Sequence, residues 1–296
     1  MKNSVRLPAF AKVNVCLHVL NRRPDGYHEL RTIFQAVSLH DTLELSRSAS
    51  VGIHLETDDA DLPTGRKNLV YRALESLSEE VSFRGGLHVC LQKRIPVARG
   101  LGGGSSDAAA ALIALLRLTG KKLPLDRLMA IAASLGADVP FFLFGGRALA
   151  TSRGDEIYPL TDAPKRNILV VSPRGIGVST KDAYKWVSEE LTNRVKPPNI
   201  WGFCALCWSR PGTVSNDFEE PVFRRYPRLR EIRAGLLERG AADAALAGSG
   251  SAVFGVFRNP AQARRAARGF PEDSVFVVET LSREKYARAL GWRVTS

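Results

Sequence analysis

Apolar and polar residues alternate along residues 9–20, Ala-Phe-Ala-Lys-Val-Asn-Val-Cys-Leu-His-Val-Leu, with the two-residue period of a strand. That period sends Val13, Val15, Leu17 and Val19 to one face and Lys12, Asn14, Cys16 and His18 to the other. Lys12 and Asn14 are then neighbours, about 7 Å apart by strand rise. Arg23-Pro-Asp-Gly26 has turn chemistry. It leads through Tyr27-His28-Glu29-Leu30 into strand-like runs over 32–39 and 41–45. The spacing lengthens to a helical one over 68–77, where Leu69, Val70, Ala73, Leu74 and Leu77 share a side. A strand over 86–91 follows, then a helix stopped by Gly120 and a second over 125–135 that ends at Gly136. Pro140 disfavours helix at Val139, so Asp138 sits in a tight connection, and 141–144 and 148–151 read as strands.

The second half repeats the mixture. A linker near 162–166 divides the chain into 1–165 and 166–296. Beyond it come a strand over 167–172, a helix over 180–191 and an irregular stretch over 195–215. A helix over 227–239, a glycine-serine turn within 244–257 that opens an apolar strand, a helix over 260–268 and a strand over 274–280 complete the pattern. Helices mixed with strands in both halves give an α+β class with two domains.

One segment departs from both periods. Pro96-Val97-Ala98-Arg99-Gly100-Leu101-Gly102-Gly103-Gly104-Ser105-Ser106-Asp107 packs four glycines into five positions and runs into an alanine-rich helix former. Ser-Ser-Asp is an N-cap signal. A flexible loop at a helix start favours an anion, and phosphate is the expected one. A surface turn that happens to precede a helix is the plainer alternative. A Walker loop is excluded, since no Gly-x-x-x-x-Gly-Lys-Ser/Thr occurs, and the consecutive glycines do not fit a dinucleotide-binding turn.

Composition narrows the partners. The 296 residues are 45% hydrophobic and 24% charged, which suits a globular protein with a sizeable core. No apolar run reaches the roughly 18–20 residues of a membrane helix. The first residues lack a signal-peptide core, so cytoplasm and no membrane partner are expected. The net charge of +12 is scattered rather than blocked. It fits a ligand with several phosphates better than nucleic acid, for which no motif is present. Cys204 and Cys207 have metal-ligand spacing but no second pair, and Cys16 and Cys90 lie in apolar runs as small core residues. No metal-binding residues are assigned.

Three segments in order carry a resemblance over essentially the whole chain: Ala11-Lys12-Val13-Asn14, Pro96 to Ala110, and Leu246 to Val253. They resemble the motifs of the GHMP kinases, the superfamily of galactokinase, homoserine kinase and mevalonate kinase. The resemblance implies an N-terminal α+β ATP-binding domain over 1–165 and a ferredoxin-like C-terminal domain over 166–296. Asp-Gly-Tyr-His-Glu-Leu at 25–30, Leu135 to Phe142 and Ser215 to Glu219 are similar to one branch, whose alcohol substrate carries a cytidine diphosphate.

The same resemblance implies ATP and Mg2+ as cofactors, Asp138 as the base and Lys12 as its cationic partner. Residues 96–106 would hold the phosphates, with Asn68 and Lys93 at the adenine. Asn14, Thr180, Gly248 and Ser249 would meet the substrate; Tyr27 and His28 would stack on cytosine, with Tyr184 as a second wall. Asp107 is expected to cap its helix. Arg99 stands where the family has Ala or Gly, and is expected to face solvent. A monomer or weak homodimer is the expected assembly. Another GHMP kinase and a basic nucleic-acid-binding protein are the alternatives.

Overall fold

The computed structural model describes residues 3–190, 199–206 and 213–294. It opens with β1 (Ser4–Arg22) and β2 (His28–Ser48), a long antiparallel pair joined by a turn at Gly26. The sequence separates 32–39 from 41–45, but one strand runs through both, because the Asp41 backbone keeps pairing with Ala9. The alternation in β1 also breaks. A register shift between Asn14 and Cys16 inserts an extra residue, which flips every side chain beyond it. Leu17 therefore joins the face of Lys12 and Asn14, and Cys16 packs with Val13 and Val15 instead.

The first body continues with β3 (Ile53–Thr57), α1 (Leu69–Glu80), β4 (Gly86–Gln92), α2 (Gly103–Thr119), α3 (Leu125–Leu135) and α4 (Val139–Phe144). Next come β5 (Arg147–Thr151) and β6 (Glu156–Pro159). The α4 segment was expected as a strand. Pro140 falls in its first turn, where a missing N–H costs nothing. The strands join in the order β3-β4-β2-β1, with β5 on β2 and β6 on β5. Apolar faces of α1 and α2 cover one side of this sheet, filling a core with Leu43, Leu45, Leu74, Leu77, Leu112 and Leu115.

The second body holds β7 (Asn167–Ser172), α5 (Thr180–Glu190), α6 (Ile200–Leu206), β8 (Ser215–Asn216), α7 (Glu219–Arg225) and α8 (Pro227–Glu238). It ends with β9 (Asp243–Leu246), β10 (Val253–Phe257), α9 (Pro260–Ala267), β11 (Ser274–Glu279) and α10 (Arg283–Leu290). Its sheet runs β11-β7-β10-β9, all antiparallel, which is the ferredoxin-like order. Residues 195–198 of the irregular stretch, and Cys207 with 208–212, lie outside the described residues.

Two features tie the bodies together. β8 pairs with β1 of the first sheet. A shared core places Val13, Val15, Ile33 and Val37 against Ile168, Val170, Phe254 and Val256. The chain end returns as well: Leu281, Tyr286 and Leu290 pack into the first core, although they fall within 166–296. Cys90, expected in the core, is half-buried on the outer face.

Candidate active site

A cleft of about 1080 Å³ lies where β1, β2, the 96–104 loop, α5 and the 247–252 turn converge. Leu101 holds the glycine loop against β1 by accepting from the Lys12 N–H, 3.0 Å. Gly100, at φ +79°, has no room for a side chain: a Cβ would stand 1.8 Å from the Ala247 carbonyl oxygen. The two glycine turns thus touch backbone to backbone, and Ala252 N–H donates to the Arg99 carbonyl, 3.2 Å. Gly102 rather than Ser105 occupies the N-cap of α2, so Ser105, Ser106 and Asp107 are helical residues and none caps by its side chain. The first N–H groups of α2 have no intrahelical partner and open toward this loop.

Lys12 sits at the centre, 3% exposed. Its Nζ donates to Asn14 Oδ1 at 2.8 Å and lies 3.4 Å from Asp138 Oδ2. Asn14 Nδ2 in turn donates to Thr32 Oγ1, 2.8 Å. Asp138 precedes α4 without making a side-chain cap, so its carboxylate is free to face the cleft. A Cβ on Gly248 would meet Lys12 Nζ at 3.2 Å, which puts the second turn directly over the ammonium. Thr180 and Ser249 reach each other across the cleft wall, Oγ to Oγ 3.1 Å.

Several expected ligand-binding side chains are already engaged. Asn68 caps α1, accepting from Val70 N–H at 2.9 Å and donating to the Pro63 carbonyl at 2.8 Å. Lys93 Nζ is gripped by Asp41 and Asp107, at 2.5 and 2.6 Å. Burial pushes the Asp107 carboxyl up to about 8, against the pull of Lys93 and helped by Asp41. The Asp107 Oδ1 has no hydrogen-bond partner among the described residues. Ser106 is buried and its hydroxyl is likewise unpartnered; it does not line the cleft. Pro96, Val97, Ala98, Arg99, Gly103, Gly104 and Ser105 do. Arg99 is half-buried rather than solvent-facing, because its Nη1 donates to Ser251 Oγ at 2.7 Å.

At the far end, His28 and Tyr184 stack on each other, with centroids 5.1 Å apart and planes at 19°. The sequence reading has a base between aromatic walls, but no ring fits between these two. Tyr27, 57% exposed under the Arg153 guanidinium, is the open aromatic face. Ser188 Oγ donates to the Tyr184 carbonyl and so accepts from His28 Nε2, 2.6 Å away. That fixes the tautomer and leaves His28 Nδ1 as an acceptor. Burial, then the charge of Arg22, lowers the His28 pKa and keeps the ring neutral near pH 7.

Comparison with known proteins places this geometry. The GHMP kinases N terminal domain matches residues 68–146, and the GHMP kinases C terminal domain matches 192–274. A Solibacter usitatus protein named 4-diphosphocytidyl-2-C-methyl-D-erythritol kinase is 44% identical over 293 residues, 97% of this chain and 91% of its own. One of that name from Pelotomaculum thermopropionicum is 39% identical over 93% of this chain and 97% of its own. A crystal structure of 4-(cytidine 5'-diphospho)-2C-methyl-D-erythritol kinase superposes with a TM-score of 0.81 at 38% identity, covering 93% of this chain and 99% of that one. The chain belongs to the 4-diphosphocytidyl-2-C-methyl-D-erythritol kinase family of GHMP kinases. It is therefore a phosphotransferase with the two-domain GHMP fold. Homoserine kinase from Cytophaga hutchinsonii, 21% identical with a TM-score of 0.70, shares that fold.

In this GHMP kinase, sequence reasoning left one set of site residues without a role. Asn216 Nδ2 donates to the carbonyls of Leu246 and Gly248, at 2.8 and 2.7 Å, and so carries the second glycine turn. Glu219 accepts from Leu246 N–H, 2.9 Å, and Asp217 accepts from Val19 N–H, 2.8 Å. The signal was the Ser215 to Glu219 motif itself. Its spacing names polar residues but not the backbone they hold.

Proposed function

We propose that this kinase transfers the γ-phosphoryl group of ATP to the 2-hydroxyl of 4-diphosphocytidyl-2-C-methyl-D-erythritol, a step of non-mevalonate isoprenoid precursor synthesis. The observation that carries the reading is the Lys12–Asp138 pair, 3.4 Å apart at the foot of the glycine loop. A tertiary alcohol is a poor nucleophile and gains from a carboxylate that orients it and accepts its proton. Its oxygen bonds to the γ-phosphorus as the bond from that phosphorus to the bridging oxygen breaks, and ADP leaves with the electron pair. The proton passes to Asp138. Lys12, held by Asn14, stabilises charge on the reacting oxygens. The α2 N-terminus and the loop backbone cradle the phosphates.

Magnesium neutralises phosphate charge when bound and prefers hard oxygen ligands. The Ser105 hydroxyl lines the cleft at the start of α2 and would offer the ion one such oxygen, with phosphate and water completing its shell. For the cytidine, Tyr27 offers a stacking face, and His28 Nδ1 suits the exocyclic amine of cytosine, a donor.

The test is ATP consumption with and without 4-diphosphocytidyl-2-C-methyl-D-erythritol. Turnover should require that alcohol, and Asp138→Asn should lower kcat by about 100- to 10,000-fold. Turnover with homoserine or a mevalonate derivative in its place would overturn the substrate assignment.

A further inference from the structure

The outer face of the first sheet carries donors that the cleft does not use. β3 and β4 run parallel, with His54 beside His88 and Glu56 beside Cys90. Residues two apart on a strand share a face, so these four form a two-by-two block, while Leu55 and Val89 turn to the core. The His88 ring lies between two of its neighbours, Nε2 3.3 Å from Glu56 Oε1 and Nδ1 4.0 Å from Cys90 Sγ. One donor atom from each of Glu56, His88 and Cys90 falls within 4.8 Å of the other two. Ligands in a tetrahedral zinc shell stand about 3.3–3.8 Å apart, given bonds of roughly 2.0–2.3 Å. Side-chain rotation closes that gap, since the Glu56 and His88 side chains are 72% and 38% exposed. Cys90 is a free thiol, and Glu44 of β2 pairs with it from the other side, adding negative charge.

We propose that Glu56, His88 and Cys90 form a site for a divalent transition ion of the zinc class, with His54 in reach as a fourth ligand. Thiolate, imidazole and carboxylate together match zinc, whereas magnesium and calcium take oxygen alone. None of the four residues lines the catalytic cleft. β3 is the edge of its sheet, so the ion would tie that edge to β4.

Cobalt, a spectroscopic stand-in for zinc, tests this on the full chain without nucleotide. One equivalent should produce a thiolate-to-cobalt charge-transfer band that zinc displaces. Cys90→Ser should abolish the band, and His88→Ala should weaken binding about tenfold or more. Both variants should keep the kinase turnover of the unmodified chain. Zinc should also raise the melting temperature of the unmodified chain and leave that of a chain carrying both Cys90→Ser and His88→Ala unchanged. No band at millimolar cobalt, or one that persists in Cys90→Ser and so belongs to another cysteine, would overturn the site.

Discussion

At the scale of single residues, the cleft shows how burial decides what an ionisable group can do. Lys93, Asp41 and Asp107 form a dry cluster with one ammonium between two carboxyl groups. Burial lifts the Asp107 carboxyl to about 8, far above the roughly 3.9 of an unfolded chain. The folded state thus holds a proton that the unfolded state releases between about pH 4 and 8. Stability present below that window is lost as pH rises through it. The melting temperature should fall from pH 5 to 8.5, and Asp107→Asn should flatten the slope; equal slopes in the two proteins would refute the assignment. Lys12 makes a second residue-scale case. Lys12→Met should lower kcat while nucleotide affinity changes less, because the ammonium faces Asp138 and Asn14; a loss confined to KM in steady-state kinetics would count against this role.

At the scale of elements, the catalytic geometry depends on two turns pressed together. The Ala247–Ala252 turn closes on itself through two backbone hydrogen bonds, Ala247 N–H to the Ala252 carbonyl and Gly250 N–H to the Ala247 carbonyl. It is held by Asn216 from β8, which satisfies two buried carbonyls. Asn216→Ala leaves both unpaired and should cost about 2–3 kcal/mol in urea unfolding. It should also reduce kcat/KM, since Gly248 lies over Lys12. A variant with normal kcat/KM would mean that the turn keeps its place without Asn216. The element boundaries themselves were largely legible. α3 begins at Leu125 and β7 spans Asn167–Ser172, as the periodicity predicts. The run over 141–144 is helix rather than strand because Pro140 sits comfortably in a first helical turn, and six apolar residues alone do not separate a short helix from a strand. The face of Leu17 was misread because a bulge leaves no mark in a hydrophobic pattern.

At the scale of the whole molecule, the chain end closes the first core. Tyr286 of α10 is 2% exposed, fills the space beside Gly145 and donates to the Phe142 carbonyl at 2.7 Å. Tyr286→Ala should destabilise by about 3–5 kcal/mol. Because the two sheets share one core, the loss should appear as a single shifted transition by both far- and near-ultraviolet circular dichroism. Two separated transitions would show the bodies to be independent. The sequence by itself determined the α+β class, the glycine loop before its helix, and the residues able to do phosphoryl chemistry. Those properties are encoded over a few neighbouring positions, by spacing, turn chemistry and side-chain type. Only the tertiary structure decided who meets whom: Lys12 with Asp138, Lys93 with two aspartates, Asn68 with its own helix, His28 with Tyr184. Each partnership joins side chains through packing and desolvation that local sequence does not record.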